Sequence, residues 1–251
     1  MTIVLSGRRD GTTHREVALL ASLPPELRLI GGLAVMCRVG TPHRATVDLD
    51  AVARDLPLYH PLLDHLAVAS SSGGQYRFAG DLDLDVIDVA TMPTSELIAQ
   101  LQADGLPFTD LEFNVVAHNW AHDSASEMDI SAVDDATGVV LVRAEGRLVA
   151  STAGIVAMKA TTVPLRASSR PEKRASDLYD IGRLLVAGGL RPGELADLPA
   201  PLDEVVRERL YGWFVEGSGR DRTYREVRRF DEPRMDLDEV GDAVKDTTSA
   251  P

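Results

Sequence analysis

Acidic and aliphatic residues alternate along the chain from Asp81 to Val86. Successive side chains of a β-strand point to opposite faces of its sheet. The alternation therefore predicts a strand with Asp81, Asp83 and Asp85 on one face and aliphatic side chains on the other. A simpler interpretation is that most of these acids only solvate an edge strand. In either case, the segment constrains the chain to a fold that contains a sheet with an acidic face.

A second acidic pair lies upstream, on a predicted strand from Thr46 to Ala51. Asp48 and Asp50 are two residues apart, so on a strand they share a face and can hold one divalent cation between them. Carboxylates suit Mg²⁺, which usually completes its shell with water and substrate phosphates. The alternative is a solvated acidic strand end.

The pair Gly31-Gly32 precedes a predicted helix. Glycines at this point allow the backbone to approach a phosphate group, with N–H groups of the helix start pointing at it. The alternative is an ordinary turn. The order of glycine pair, helix and acidic strand favours a phosphate-binding and metal-binding site.

The alternating strand offers a third carboxylate for such a site. Asp85 is our prediction because it lies nearest the aliphatic end of the strand, and Asp83 is the alternative. Asp88 would face the other way unless a bulge intervenes.

The second half of the chain is predicted to be helical. Lys159 lies in a helix that Ser151 or Thr152 opens and Pro164 ends, and Pro171 suits the first position of the next helix. In that helix three charged residues stand three or four positions apart on one face: Lys173, Asp177 and Asp180. Leu178, Ile181 and Leu185 would form its buried stripe. The alternative is a surface ion-pair network, worth a few tenths of a kcal/mol per pair.

These motifs together resemble a known family. The glycine pair, helix and Asp-x-Asp strand resemble nucleotidyltransferases of the polymerase-beta type. The segment Arg44-x-Thr46-x-Asp48-Leu49-Asp50, with Lys159 and the Asp177–Asp180 helix, is most similar to the AbiEii branch, which includes toxins of type IV toxin–antitoxin systems and the MenT toxins. One departure is Ser176, where the family often has Lys or Arg.

The resemblance implies an α/β (α+β) fold with a polymerase-beta-type core, a mixed sheet and a C-terminal helical domain. We expect the catalytic domain over residues 1–150, a helical domain that completes the site over 151–235, and a flexible tail over 236–251.

The resemblance also implies roles for particular residues. Asp48, Asp50 and Asp85 would bind metal and, with Lys159 and Asp177 or Asp180, would be needed for catalysis. Contacts to the nucleotide are expected from Gly31, Gly32, Arg44, Thr46 and Lys173.

The implied reaction moves a nucleoside monophosphate from an NTP to an acceptor hydroxyl with one or two Mg²⁺ ions. By the resemblance, the acceptor is the 3′ end of tRNA, and a separately encoded antitoxin is the partner. One alternative is transfer to a small molecule such as an aminoglycoside. The other is a catalytically silent binding module, whose mark would be loss of the carboxylates.

The net charge of −13 argues at first against a polyanionic partner. However, residues 143–174 hold seven Lys and Arg against two Asp and Glu. A cluster of five arginines interleaved with two aromatic residues, a mixture typical of RNA binding, comprises Arg220, Arg222, Arg225, Arg228 and Arg229 with Tyr224 and Phe230. The alternative is a solvated arginine-rich helix.

The lone cysteine, Cys37, excludes an intrachain disulfide and suggests a reducing cytoplasm. We expect neither a leader nor a membrane segment, because the chain has no basic leader before an apolar core and no run of eighteen apolar residues. His118 and His122 have the spacing of a helical zinc half-site, but a polar loop around a buried Trp120 explains them as well.

Overall fold

The described strands all lie before residue 150, interspersed with helices, and the described elements beyond that point are helices. The computed structural model describes residues 1–41, 48–71, 73–166, 170–230 and 235–249. The chain divides into a sheet unit, formed by Met1–Met92 and His122–Ser151, and a helical unit, formed by Pro93–Ala121 and Thr152–Pro251. The chain passes from one unit to the other three times, because residues 93–121 belong to the helical unit. The predicted boundary near residue 150 lies at the last of these points.

The described strands form one mixed sheet in the order β1-β7-β8-β2-β3-β6-β5-β4. They are β1 (Thr2–Gly7), β2 (Arg28–Ile30), β3 (Asp48–Arg54), β4 (Ala69–Ser71), β5 (Gln75–Phe78), β6 (Leu82–Val89), β7 (Ser126–Asp134) and β8 (Val140–Val149). β1 with β7, β2 with β8 and β3 with β6 are parallel pairs, and the other neighbours are antiparallel. The predicted mixed sheet is confirmed.

Three α-helices among the described residues accompany these strands in the sheet unit: α1 (Thr12–Ser22), α2 (Gly31–Val39) and α3 (His60–Leu66). Buried and half-buried arginines connect α1 and α2 to the sheet through backbone carbonyls. Arg147 of β8 donates to the carbonyls of Leu20 and Leu23 at the end of α1. Arg38 of α2 donates to the carbonyls of Val149 and Ala150, at 2.6 and 2.8 Å. The two arginines thus connect the end of α1 to β8 and the end of β8 to α2.

The predicted alternating strand is confirmed as β6, where Leu82 and Leu84 are buried and Asp83 and Asp85 are half-buried. Asp81 is an exception to the predicted face. It lies in the turn before β6 with φ of +57°, so its side chain does not belong to the strand's period.

Residues 140–149 form a single strand, β8, paired with β7. Gly146, with φ of +61°, lies at an irregularity within this strand and not at a turn between two strands.

The helical unit contains α4 (Thr94–Leu101), most of α5 (Asp110–Asp123), α6 (Thr152–Arg166), α7 (Pro171–Ala187), α8 (Leu202–Phe214), α9 (Gly217–Val227) and α10 (Leu237–Thr248). The stripe of Leu178, Ile181 and Leu185 is buried, as predicted. Pro164, expected to end its helix, lies inside α6.

The expectation of a flexible tail over 236–251 is not met, because residues 237–248 form α10. Its residues Leu237, Val240 and Val244 are buried at helical spacing, and the helix contacts α7 and α8. The Asp236 side chain caps it by accepting the amide of Asp238 at 2.8 Å. The charge of the segment obscured this apolar stripe, which was readable in the sequence.

Cys37 is fully buried in α2, and burial raises the pKa of its thiol to about 12. It packs as a small apolar side chain, as predicted. None of the helices in the described ranges is long and apolar enough to cross a lipid bilayer.

Two glycines of α2 and its end give a test of this region. Gly31 and Gly40 both have positive φ, +69° and +80°. A Cβ on Gly31 would lie 2.0 Å from Oδ2 of Asp50, whereas one on Gly40 would meet nothing within 4 Å. Gly40→Ala should lower the free energy of unfolding by about 1–2 kcal/mol, because an alanine is strained at this positive φ. Each kcal/mol lost should lower Tm by about 2–4 °C. Gly31→Ala should lower Tm much further in thermal unfolding. Equal shifts for the two variants would refute the close packing of Asp50 on Gly31.

Candidate active site

Four aspartates lie side by side on one face of the sheet unit. In the parallel pairing of β3 with β6, Asp48 is opposite Asp83 and Asp50 is opposite Asp85. All four are half-buried, while Leu49, between the β3 pair, is fully buried on the opposite face. Neighbouring strands are about 4.8 Å apart. The register therefore brings the predicted residues Asp48, Asp50 and Asp85 to one patch, the carboxylate face.

The start of α2 borders this face. Ile30, the last residue of β2, is paired with Asp50, and the helix begins at the next residue, Gly31. The Asp50 carboxylate packs directly on Gly31, at a distance that no side chain on residue 31 would allow. The sequence predicts only a phosphate-binding role for Gly31 and does not show this contact. Gly32 is also buried, and the first turn of α2 carries no acidic side chain.

Asp83 forms an ion pair with Arg77 of β5. The Nε and Nη2 atoms of Arg77 donate to the two Asp83 oxygens at 2.8 and 3.2 Å. The hydrogen bond from Arg77 lowers the pKa of Asp83. Asp88 accepts the amide of Leu56 at 3.1 Å. Asp83 thus accepts two hydrogen bonds from an arginine, and Asp85 stays our prediction for the third ligand.

The donor set of the carboxylate face suits a hard cation. In the ranges that the structure describes, no group of three or more His, Cys, Asp or Glu side chains is placed to hold a metal ion. Mg²⁺ does not require such a cage, because one or two carboxylates with substrate phosphates are its usual ligands. Asp48, Asp50 and Asp85 would supply carboxylates in this way.

The second predicted cluster is buried in the helical unit. Nζ of Lys159, on α6, lies 2.8 Å from Oδ1 of Asp177 and 2.9 Å from Oδ2 of Asp180, both on α7. Arg166 forms an ion pair with the second oxygen of Asp177. Lys159 and Asp177 are each 4% exposed and Asp180 is fully buried.

The burial of these groups changes the alternative interpretation. A surface ion-pair network, worth a few tenths of a kcal/mol per pair, does not describe them, because removing one partner from a buried pair typically costs about 3–5 kcal/mol. Lys173, predicted on the same helix face as Asp177, is exposed in the first turn of α7. The sequence correctly grouped Lys159 with Asp177 and Asp180 but did not show that the group is internal.

Pro164, which lies on the same helix as Lys159, accounts for a contact made by Arg209. Pro164 has no N–H, so the carbonyl of Ala160, four residues earlier, has no helical donor. Nη1 of Arg209, on α8, donates to this carbonyl at 3.2 Å. Arg209 also forms an ion pair with Asp110 and lies over the ring of Phe113, 5.9 Å from its centroid. Arg209 thus repairs the hydrogen-bond gap of α6 one residue from Lys159.

Other predicted residues have different positions. Arg44 and Thr46 lie outside the described residues. His118 is on α5 and not in a loop, and its Nδ1 is 2.7 Å from the carbonyl of Asn114. Burial lowers the pKa of His118, which favours the neutral ring.

The basic segment and the arginine cluster are largely engaged internally or with acids. Arg147, Lys159 and Arg174 of the basic segment are buried. In the cluster, Arg220 pairs with Asp238 at 2.5 Å and Arg222 with Glu226 at 2.8 Å. These contacts are typical of packing within the fold, which weakens the RNA-binding interpretation of both segments.

A double-mutant cycle tests the Pro164 contact. Arg209→Met should lower the free energy of unfolding by about 1.5–3 kcal/mol, the scale of a hydrogen bond to a charged group. Pro164→Ala restores an amide donor for the Ala160 carbonyl, so in that background Arg209→Met should cost about 1 kcal/mol less. Urea unfolding of the four proteins measures the coupling. Strict additivity would mean that Arg209 does not substitute for the missing amide.

Comparison with known proteins agrees with the family that the motifs resemble. No curated protein matches the chain. Among solved structures, the chain is similar to an antigenic nucleotidyltransferase-like protein from Paracoccidioides brasiliensis, with 17% sequence identity, a TM-score of 0.42, and 95% of this chain and 94% of that chain covered. Residues 16–238 match the family model described as "Nucleotidyl transferase AbiEii toxin, Type IV TA system". Because this match spans most of the sequence, the chain belongs to the AbiEii family of nucleotidyltransferase toxins from type IV toxin–antitoxin systems.

Proposed function

We propose that the protein is a Mg²⁺-dependent nucleotidyltransferase that moves a nucleoside monophosphate from an NTP to the 3′-hydroxyl of tRNA. Membership of the family establishes a nucleotidyltransferase in a toxin–antitoxin context. The observation that carries the proposal for the site is the register of β3 with β6, in which Asp48, Asp50 and Asp85 share one face.

In the proposed reaction, the acceptor oxygen attacks the α-phosphorus of the NTP. A bond forms between them and the hydroxyl proton passes to solvent. The bond from the α-phosphorus to the bridging oxygen breaks, and pyrophosphate leaves with the electron pair. Mg²⁺ bound at the carboxylate face would neutralise phosphate charge and favour the ionised acceptor hydroxyl. The chain's own contribution is to hold the carboxylates on one rigid face, beside the backbone N–H groups at the start of α2.

Lys159 is proposed to be required for the same reaction, with Asp177 or Asp180 orienting its ammonium group. Two carboxylates hold Nζ from α7 at 2.8 and 2.9 Å, which fixes the direction of a long and otherwise flexible side chain. A fixed cation of this kind is suited to phosphate charge. Its requirement in AbiEii and MenT proteins is the family resemblance on which this assignment rests.

The proposal has a direct test. Purified protein is incubated with Mg²⁺, each radiolabelled NTP in turn and total cellular RNA, and the products are separated on a denaturing gel. Label in the tRNA band would support the proposal and identify the nucleotide. Label only in an added aminoglycoside would refute the tRNA acceptor and favour the small-molecule alternative. The acidic carboxylate face would also suit such a cationic acceptor.

The carboxylate assignment predicts that Asp48→Asn, Asp50→Asn and Asp85→Asn each reduce transfer by at least about a hundredfold, since each removes a ligand charge without changing shape. Their Tm should be nearly unchanged, because Asn keeps the size and shape of Asp. Asp81→Asn is the matched control, since Asp81 is exposed in the turn before β6. Full activity in all three variants would refute the assignment.

Lys159→Met should lose both activity and stability, about 3–5 kcal/mol of the latter, because it removes the cation that the buried carboxylates of Asp177 and Asp180 share. Activity alone cannot then separate function from folding. The double variant Lys159→Met with Asp180→Asn removes one charge of each sign and should recover much of the lost stability, measured by urea unfolding, while transfer stays abolished. Recovery of transfer along with stability would show that Lys159 has only a structural role.

A further inference from the structure

A cleft of about 340 Å³ opens beside the carboxylate face of the sheet unit. Asp48, Asp83 and Asp85 form one side of it. The other side comes from β4 and β5 and is mostly polar, with Ser71, Gln75 and Arg77 among its residues. We call it the β4–β5 cleft.

The strand register aligns this cleft with the start of α2. One row of paired residues crosses five neighbouring strands: Ile30 of β2, Asp50 of β3, Asp85 of β6, Gln75 of β5 and Ser71 of β4. Partners in register face the same side of a sheet, with about 4.8 Å from strand to strand. The row thus has the start of α2 at one end, the carboxylates in the middle and the cleft at the other end.

Phosphoryl transfer places the attacking and leaving oxygens roughly in line through phosphorus. In the proposed function, the triphosphate lies at the α2 end of the row, so pyrophosphate departs toward that end. The attacking hydroxyl must then come from the opposite end, over β6 and β5. We propose that the β4–β5 cleft binds the hydroxyl-bearing end of an RNA acceptor and that Arg77 contacts one of its phosphates; this rests on the proposed function.

The contacts of Arg77 fit this role. Its side chain is 60% exposed, and its pair with Asp83 uses Nε and Nη2 and leaves Nη1 outside the fork. Arg77 is the only cation among the described residues that line the cleft. The pair also neutralises Asp83, so that carboxylate does not repel a phosphate at this end of the row. A rigid, planar guanidinium is well suited to a phosphate ligand.

Arg77→Ala tests the proposal against Arg207→Ala, which removes a comparable exposed arginine from an ion pair with Asp203 in the helical unit. A labelled single-stranded RNA with a free 3′-hydroxyl is titrated with each protein at several salt concentrations, without NTP, and binding is read by fluorescence anisotropy. Arg77→Ala should weaken binding about tenfold and reduce the slope of log K against log salt by about 0.7, the loss of one phosphate contact. Arg207→Ala should match the wild type, and Arg77→Lys should recover part of the slope.

Steady-state transfer then separates the two substrates. Arg77→Ala should raise KM for the RNA acceptor and leave KM for the NTP unchanged. A rise in KM for the NTP alone, or an unchanged RNA slope, would overturn the assignment. If wild-type protein transfers no label, the proposed function fails, whereas the binding slope still decides whether Arg77 contacts RNA.

Discussion

The register between β3 and β6 is the constraint on which the carboxylate face depends. The pairing runs without a break in register from Asp48–Asp83 to Arg54–Val89, so the alternating side chains of the two strands stay in phase. A slip of one residue would bring Leu84 to the acidic face and a carboxylate to the buried side. The burial of Leu49 and Leu84 opposes such a slip, because a carboxylate in their place would lose its hydration. The apolar side of the sheet thus fixes the geometry of the charged side.

The helical unit contains buried charges that are paired with one another. Lys159 forms ion pairs with Asp177 and Asp180, and Arg166 forms an ion pair with the second oxygen of Asp177. Near this group the helix α6 contains a proline, and Arg209 supplies the missing donor. Buried polar groups are tolerated only when such partners exist. A set of charges kept at this cost is more easily explained by a role in chemistry than by a contribution to stability, since apolar residues often stabilise equally well.

Much of the sheet unit's centre could be predicted from the sequence. Period-two alternation predicted β6, and the two-residue spacing placed Asp48 and Asp50 on one face. Neither pattern says which strand lies alongside. The ion pair of Asp83 with Arg77 and the packing of Asp50 on Gly31 could therefore not be predicted. Both depend on which strand lies beside which. A glycine within a strand, such as Gly146, has the same signature in the sequence as a turn. The charge of residues 236–251 predicts a flexible tail, whereas the spacing of Leu237, Val240 and Val244 indicates the α10 helix. The roles of Lys159, Asp177 and Asp180 rest on the family, and the structure adds their burial and contacts.

The order of strands along the chain also bears on how such an enzyme is made. The strands that carry the aspartates, β3 and β6, lie within residues 48–89, whereas β1 pairs with β7 and β2 with β8, which ends at Val149. Protein synthesis proceeds from the N-terminus, so β1 cannot pair with β7 until more than a hundred further residues have been translated. A product truncated before β7 holds every aspartate of the carboxylate face, yet it lacks the strand beside β1. The aspartates of a harmful enzyme are therefore translated early, while the sheet that must support them is completed late.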